Sequence, residues 1–438
     1  MIQRLLNHLD NSSCNFLAVE TIKKVLDEKG FQRLNPALHW EIRPGGKYYV
    51  TKNDTAVMAF IAGQDNPALA GFRIISAHSD SPCFKIKPNA EIYGDGGVVK
   101  LNVEKYGGGI LYTWFDRPLS ISGRVMTAGE DALHPVTHIL DLKRPVAFIP
   151  HLAIHFNRAV NEGNPLSVQK DMLPVVGYFS DEEIDNQKAN GGIIKMILAE
   201  HLGIATDDIL EYELCLYPFE KAALAGVRNE YFQSARIDDL SMAFAALEAI
   251  TDEKVMSTAG TTPATRIMAI FDNEETGSGT KQGAHAPFLK SIMDRICNSY
   301  PDAADDSLFR AVAQSFMISA DDAHGWHPDY NEKYDPTNHP VLGGGPVIKI
   351  NANCKYMTDA DGAAVMKALC RRAGVPCQYF VNHSDVAGGS TLGNILTSQL
   401  DLRGVDMGNA IWAMHSARET GAVADQEATV ALFKEFFK

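Results

Sequence analysis

Four short apolar runs in this chain each end in a histidine or an acid, and that recurrence restricts the possible folds more than any other feature. Residues 72–77 (FRIISA) are followed by His78, Ser79 and Asp80, and residues 267–271 by Asp272, Asn273, Glu274 and Glu275. Residues 316–319 lead to Ala320, Asp321, Asp322, Ala323 and His324, and residues 411–414 to His415. Short apolar runs bounded by polar residues read as buried strands. Helical patterns lie among them. Residues 14–30 place Phe16, Ile22, Val25 and Leu26 on one stripe, 239–250 (DLSMAFAALEAI) form a second helix, and 365–373 form a third that leads into a strand at 377–381. This alternation predicts an α/β fold, a mixed sheet with helices on both faces. In open α/β sheets ligands collect beyond the carboxyl ends of the strands, so the residues after these runs are expected to converge.

The alternation breaks between residues 92 and 232. There, short β-like runs such as 109–114 and 119–125 are separated by glycine and proline turns, which predicts an inserted, mostly β domain. The expected division is 1–91 with 233–438 for the main domain and 92–232 for the insertion, since 438 residues exceed what one core usually supports. Net charge is 40 − 54 = −14 with histidine neutral. An acidic surface repels phosphate, so neither nucleic acid nor an anionic membrane is expected as a partner. Seven cysteines, with no C-x-x-C pair, point to reduced thiols and a cytoplasmic setting. No secretory signal and no apolar run of about 20 residues is found.

The polar residues at these ends form a ligand inventory for zinc, which accepts imidazole nitrogen and carboxylate oxygen. A fifth segment, ARIDDL, adds Asp238 and Asp239 at the start of a helix. Two ions about 3.5–4 Å apart need a shared anionic bridge. The simplest assignment has Asp238 bridging, His78 and Asp321 completing one ion, and Glu275 and His415 the other. Asp80 would orient the His78 ring, and Glu274 would serve as general base. Taken singly, each residue has an ordinary explanation: a helix N-cap for Asp238–Asp239, a solvated turn for Glu274–Glu275, a satisfied core histidine for His415. Their coincidence at five element ends favours metal. No P-loop, G-x-S-x-G or H-E-x-x-H pattern competes, and the glycines at 107–109, 343–345 and 388–389 read as turns or close approaches.

These residues, with SAHSDSP (76–82), YGGGILYTWFDRPLSISGRV (106–125), HLAIHFNR (151–158), FDNEETGS (271–278), ISADDAH (318–324), GGPVIKIN (344–351) and MHSARE (414–419), resemble the aspartyl aminopeptidase family of co-catalytic dizinc exopeptidases. The resemblance implies the same five ligands, the same bridge and the same base. It further implies substrate contacts at His324, Lys349 and Tyr356, and a His155 that reaches a neighbouring subunit's site. It also implies a homo-oligomer, a dodecamer of dimers joined through the inserted domain. The chain departs from the pattern at Asp322, where an apolar residue is usual, and at Gly325–Trp326.

The expected function is therefore a metalloaminopeptidase that hydrolyses N-terminal residues, with preference for Asp or Glu, using water activated by two zinc ions. Manganese or cobalt would accept similar ligands. Alternatives are a dizinc amidohydrolase acting on N-acyl amino acids and a non-enzymatic, metal-bound assembly or cargo protein.

Overall fold

A computed structural model describes residues 1–438, which divide into two compact units. The first comprises 1–80, 222–414 and 419–438, and the second 81–221 with 415–418. The second unit begins earlier than residue 92 because the strand Cys83–Tyr93 pairs within it, to Val98–Tyr106 and Ile209–Pro218.

The first unit is built on a nine-stranded mixed sheet. Its centre runs from Ala56–Ile61 through Thr265–Phe271, Phe72–His78, Phe316–Ala320 and Arg403–Gly408 to Val347–Ile350. Thr265–Phe271, Phe72–His78, Phe316–Ala320 and Arg403–Gly408 run parallel, so their carboxyl ends open on the same side. Strands buried on both faces need both sets of side chains apolar. Val57, Ala59, Ile75, Ala77, Met268, Ile270, Ile318, Val405 and Met407 pack to one core. Met58, Phe60, Ile74, Ile267, Ala269, Phe271 and Met317 pack to the other. The helices Asn15–Glu28, Ile237–Ile250, Ala360–Ala373 and Val423–Phe436 supply residues to the first core, and Phe288–Cys297, Ser307–Gln314 and Leu392–Thr397 to the second. The mixed sheet with helices on both faces is as the sequence predicts.

One strand falls elsewhere. Ala410–Trp412 belongs to a separate five-stranded sheet with Ala223–Ala225, Tyr231–Ser234, Glu419–Ala422 and Ala323–His324. The fourth strand on the central opening is instead Arg403–Gly408, whose alternation is obscured by Asp406 between Val405 and Met407.

The second unit is a six-stranded antiparallel sheet over its own apolar core, including Phe84, Val103, Trp114, Ile121, Leu214 and Leu216. The β run expected at 109–114 is instead a turn followed by a single 3-10 turn, Leu111–Trp114, whose Trp114 packs edge-on against Phe84 at 5.0 Å.

His8, in the N-terminal helix Ile2–Asn11, lies buried against Phe244 with ring centroids 5.5 Å apart. Its Nε2 is buried without a hydrogen-bond partner, and burial pushes the imidazole down to about 4. A histidine lowered on folding contributes stability that is complete above its unfolded value near 6.5 and is lost as pH falls toward 4. The predicted loss over that window is about 3 kcal/mol. Thermal unfolding of wild type and His8→Leu should therefore diverge in pH slope between 6.5 and 4. Equal slopes would refute the assignment.

Candidate metal centre

The helix Ile237–Ile250 begins irregularly. Arg236 is left-handed (φ 62), its guanidinium held by the Ser12 carbonyl at 2.9 Å, and Asp238 and Asp239 do not have helical angles. Successive residues of a regular helix point about 100° apart. Unwinding this turn lets two adjacent carboxylates reach one centre. His78, Asp238, Asp239 and Asp321 offer ligand atoms that all lie within 4.8 Å of one another. His78 and Asp321 arrive at the carboxyl ends of parallel strands, and all four side chains are buried. Gly408 borders the centre because a Cβ there would meet the Asp321 carbonyl at 2.0 Å.

His78 Nε2 lies 3.4 Å from Asp238 Oδ1, while its Nδ1 faces the Asp80 carbonyl oxygen at 3.0 Å and Asp80 Oδ1 at 3.4 Å. The Asp80 carboxylate does more than face the ring. Its two oxygens accept from the backbone N–H groups of Glu274 and Glu275, both at 3.1 Å, and so hold the turn that carries both glutamates. Glu275 and Asp238 present carboxylate oxygens within 4.8 Å of each other. The Asp238 N–H donates to Glu419 Oε2 at 3.2 Å, and the His78 N–H to Asp239 Oδ2 at 3.0 Å.

The electrostatics are those of a site short of positive charge. Burial and neighbouring acids raise Asp239 and Asp322 well above the carboxylate range, raise Asp321, and push Glu274 up to about 9. Burial works against charge on His78, but Asp239, Asp238 and Asp80 outweigh it and hold the ring protonated well above the usual histidine value. Lys349 Nζ stands 3.5 Å from Asp321 Oδ2. Asp239 Oδ1 is buried and accepts no hydrogen bond. One imidazole among crowded carboxylates, with an orphaned oxygen, is a donor set suited to zinc. A bound cation would take the place of the protons this cluster otherwise retains.

The family model described as "Aminopeptidase I zinc metalloprotease (M18)" matches residues 8–437. The chain belongs to this family. A probable M18 family aminopeptidase 2 of Clostridium novyi (strain NT) is 45% identical over 433 residues, covering 99% of this chain and 97% of its own. A solved structure of Ape4 with Nbr1 superposes with TM-score 0.93 at 35% identity, over 99% of this chain and 85% of that one. The S. cerevesiae mApe1 dodecamer does so with TM-score 0.87 at 27% identity, over 99% and 95%. The resemblance stated above stands, the mixed α/β fold is zinc exopeptidase-like, and the chain is a zinc-dependent aminopeptidase of the M18 family.

The remaining expected residues are distributed as follows. Lys349 and Tyr356 are buried side by side, Nζ 5.6 Å from the ring centre, and His324 is exposed beside Phe380 at 5.7 Å. His415 falls in the segment grouped with the second unit, at φ 68, where its Nδ1 faces the Gly108 carbonyl at 3.3 Å and its own carbonyl accepts from Ile110. Gly108 of the 107–109 run thus lies against the His415 ring. His155 is exposed on the second unit. Asp322 is 2% exposed, and its carboxylate accepts from Ser241 Oγ at 2.7 Å and the Asn409 N–H at 3.2 Å, clamping the helix behind Asp238. Sequence reasoning noted Asp239 but gave it no part in the cluster, and it missed Glu419 as the cluster's support. Only the doubled acid of ARIDDL and the acid ending MHSARE hinted at them.

Proposed function

We propose that this M18 enzyme removes N-terminal Asp or Glu from peptides with two zinc ions, and that it works in the cytoplasm as a homo-oligomer. The observation that carries the reading is the buried set His78, Asp238, Asp239 and Asp321, an anionic centre with Lys349 beside it. His78, Asp238 and Asp321, joined by Glu275 and His415, would hold the metal, with Asp238 shared. Zinc bound there supplies Lewis acidity and a more acidic water. Glu274 takes the proton from the attacking water and returns it to the leaving amine, so one carboxylate serves both halves of the reaction. Asp80 fixes the main chain of Glu274 and Glu275, and with it the direction of the base. Lys349 and Tyr356 receive the first side chain, where a buried ammonium favours a carboxylate over a neutral group.

The assembly reading is supported by the second unit, where Leu152, Ile154 and Phe156 are 57%, 53% and 82% exposed around His155. An apolar stretch of this kind suits a second copy of the chain, and the dodecamer of S. cerevesiae mApe1 supplies the precedent.

Rates on chromogenic substrates bearing each N-terminal residue, together with N-acyl analogues, test the reading. Activity should vanish with chelator, return with zinc, and be highest for Asp and Glu. Lys349→Met should reduce kcat/KM on acidic residues by about tenfold or more and leave alanine substrates nearly unaffected. A flat panel would reject the acidic preference, and hydrolysis of N-acyl substrates alone would reject the aminopeptidase mechanism.

A further inference from the structure

A polar row crosses the centre of the main sheet. Ser76 stands opposite Ser319, and Ser319 opposite Asp406. On the other side Val347 pairs with Gly408 and Ile348 with Met407, so continuing that register brings Lys349 opposite Asp406. Directly opposed residues share a sheet face. All four are 3% exposed or less. A carboxylate in the middle of such a sheet is costly unless its oxygens are satisfied.

Asp406 is held by loops as well as by its own sheet, where Ser319 faces it. Oδ2 accepts the Met357 N–H at 2.5 Å, Oδ1 accepts Thr391 Oγ1 at 2.7 Å, and the Asp406 N–H is paired with the Thr358 hydroxyl oxygen at 2.8 Å. Gly393 makes room, since a Cβ there would stand 2.5 Å from Asp406 Oδ2. One side chain therefore joins the strand beside Lys349, the loop that carries Tyr356 immediately before Met357, and the Gly388–Thr391 turn. That turn takes no part in the metal chemistry.

We infer that Asp406 is a positioning residue for the pocket that receives the first side chain of the substrate, fixing Tyr356 and the Gly388–Thr391 turn around Lys349. The inference rests on the reading of Lys349 and Tyr356 given above. Asp406 touches neither substrate nor metal; it sets the walls. Loosening it should weaken capture of the first residue and leave the metal and the proton transfer intact.

Three variants of the full-length enzyme test this: Asp406→Asn, which keeps one acceptor, Thr391→Val, which deletes the hydroxyl, and Thr391→Ser, which keeps it. Asp406→Asn and Thr391→Val should raise KM for the best N-terminal residue by about tenfold, with kcat within about threefold and zinc content unchanged. Thr391→Ser should remain near wild type. An equal fall in kcat on every substrate, or unchanged KM in Thr391→Val, would overturn the inference. Should Asp406→Asn not fold, Thr391→Val against Thr391→Ser decides alone. If wild type shows no acidic preference, the reading of Lys349 fails, while the KM comparison on whichever residue is preferred still judges Asp406.

Discussion

Glu274→Gln should retain its zinc and its KM while losing about a thousandfold in kcat, within the range for removal of a positioned general base. The substitution preserves shape and the main-chain hydrogen bond from Glu274 to Asp80, so the turn and the neighbouring Glu275 stay in place. What it removes is a group able to accept a proton. That group is well suited to the task. Burial, and then Asp321, Glu275 and Asp80, push its carboxyl up to about 9 when no cation is near, with His78 opposing. A divalent cation among the adjacent ligands pulls the value back down, toward the working pH, where a base is most effective. Saturation kinetics and metal content by atomic absorption provide the check. A variant within tenfold of wild type would place the base elsewhere, and one that loses zinc would make Glu274 a ligand.

How far the sequence exposed this site depends on what each residue needed from the fold. His78, Asp321 and the Glu274–Glu275 pair follow buried strands directly, so a local pattern locates them and the parallel sheet brings them to one side. Asp239 required knowledge of backbone angles. In a regular helix it would point away from Asp238, and only the unwound first turn after Arg236 admits both. Asp406 was hidden for a different reason. Its strand reads as broken when alternation is judged by hydropathy, because the acid occupies a core position made tolerable by Met357, Thr358 and Thr391, all distant in sequence. The run at 109–114 misled in the opposite direction, since apolar and aromatic residues there form a turn that meets His415 through Ile110, beside Gly108. The run expected as a strand at 411–414 is a strand only over Ala410–Trp412, and it belongs to another sheet, which no local pattern specifies.

The same crowding of acids predicts a reversal of pH dependence when metal is removed. Glu274, Asp239 and Asp322 have folded-state values raised above their unfolded ones. Acids shifted in that direction contribute stability below the unfolded value and lose it as pH rises through the folded one. For Glu274, raised to about 9, the loss accrues steadily as pH rises above the unfolded value and levels off only near pH 9. Chelated protein should therefore be more stable at pH 7 than at pH 9 by about 2 kcal/mol, a melting shift of about 3 °C for a chain of this size. His8 does not confuse the comparison, because its window lies between 6.5 and 4. Zinc reverses the slope, since it needs the same oxygens deprotonated and competes with protons for them. At a concentration about a thousandfold above its dissociation constant it should add about 4 kcal/mol, and its advantage should widen as pH rises from 7. Calorimetry of chelated and zinc-loaded protein at both pH values measures the crossing directly. Parallel curves would mean that the buried carboxylates and the cation do not share one centre, and the assignment of His78, Asp238 and Asp321 as ligands would fall with them.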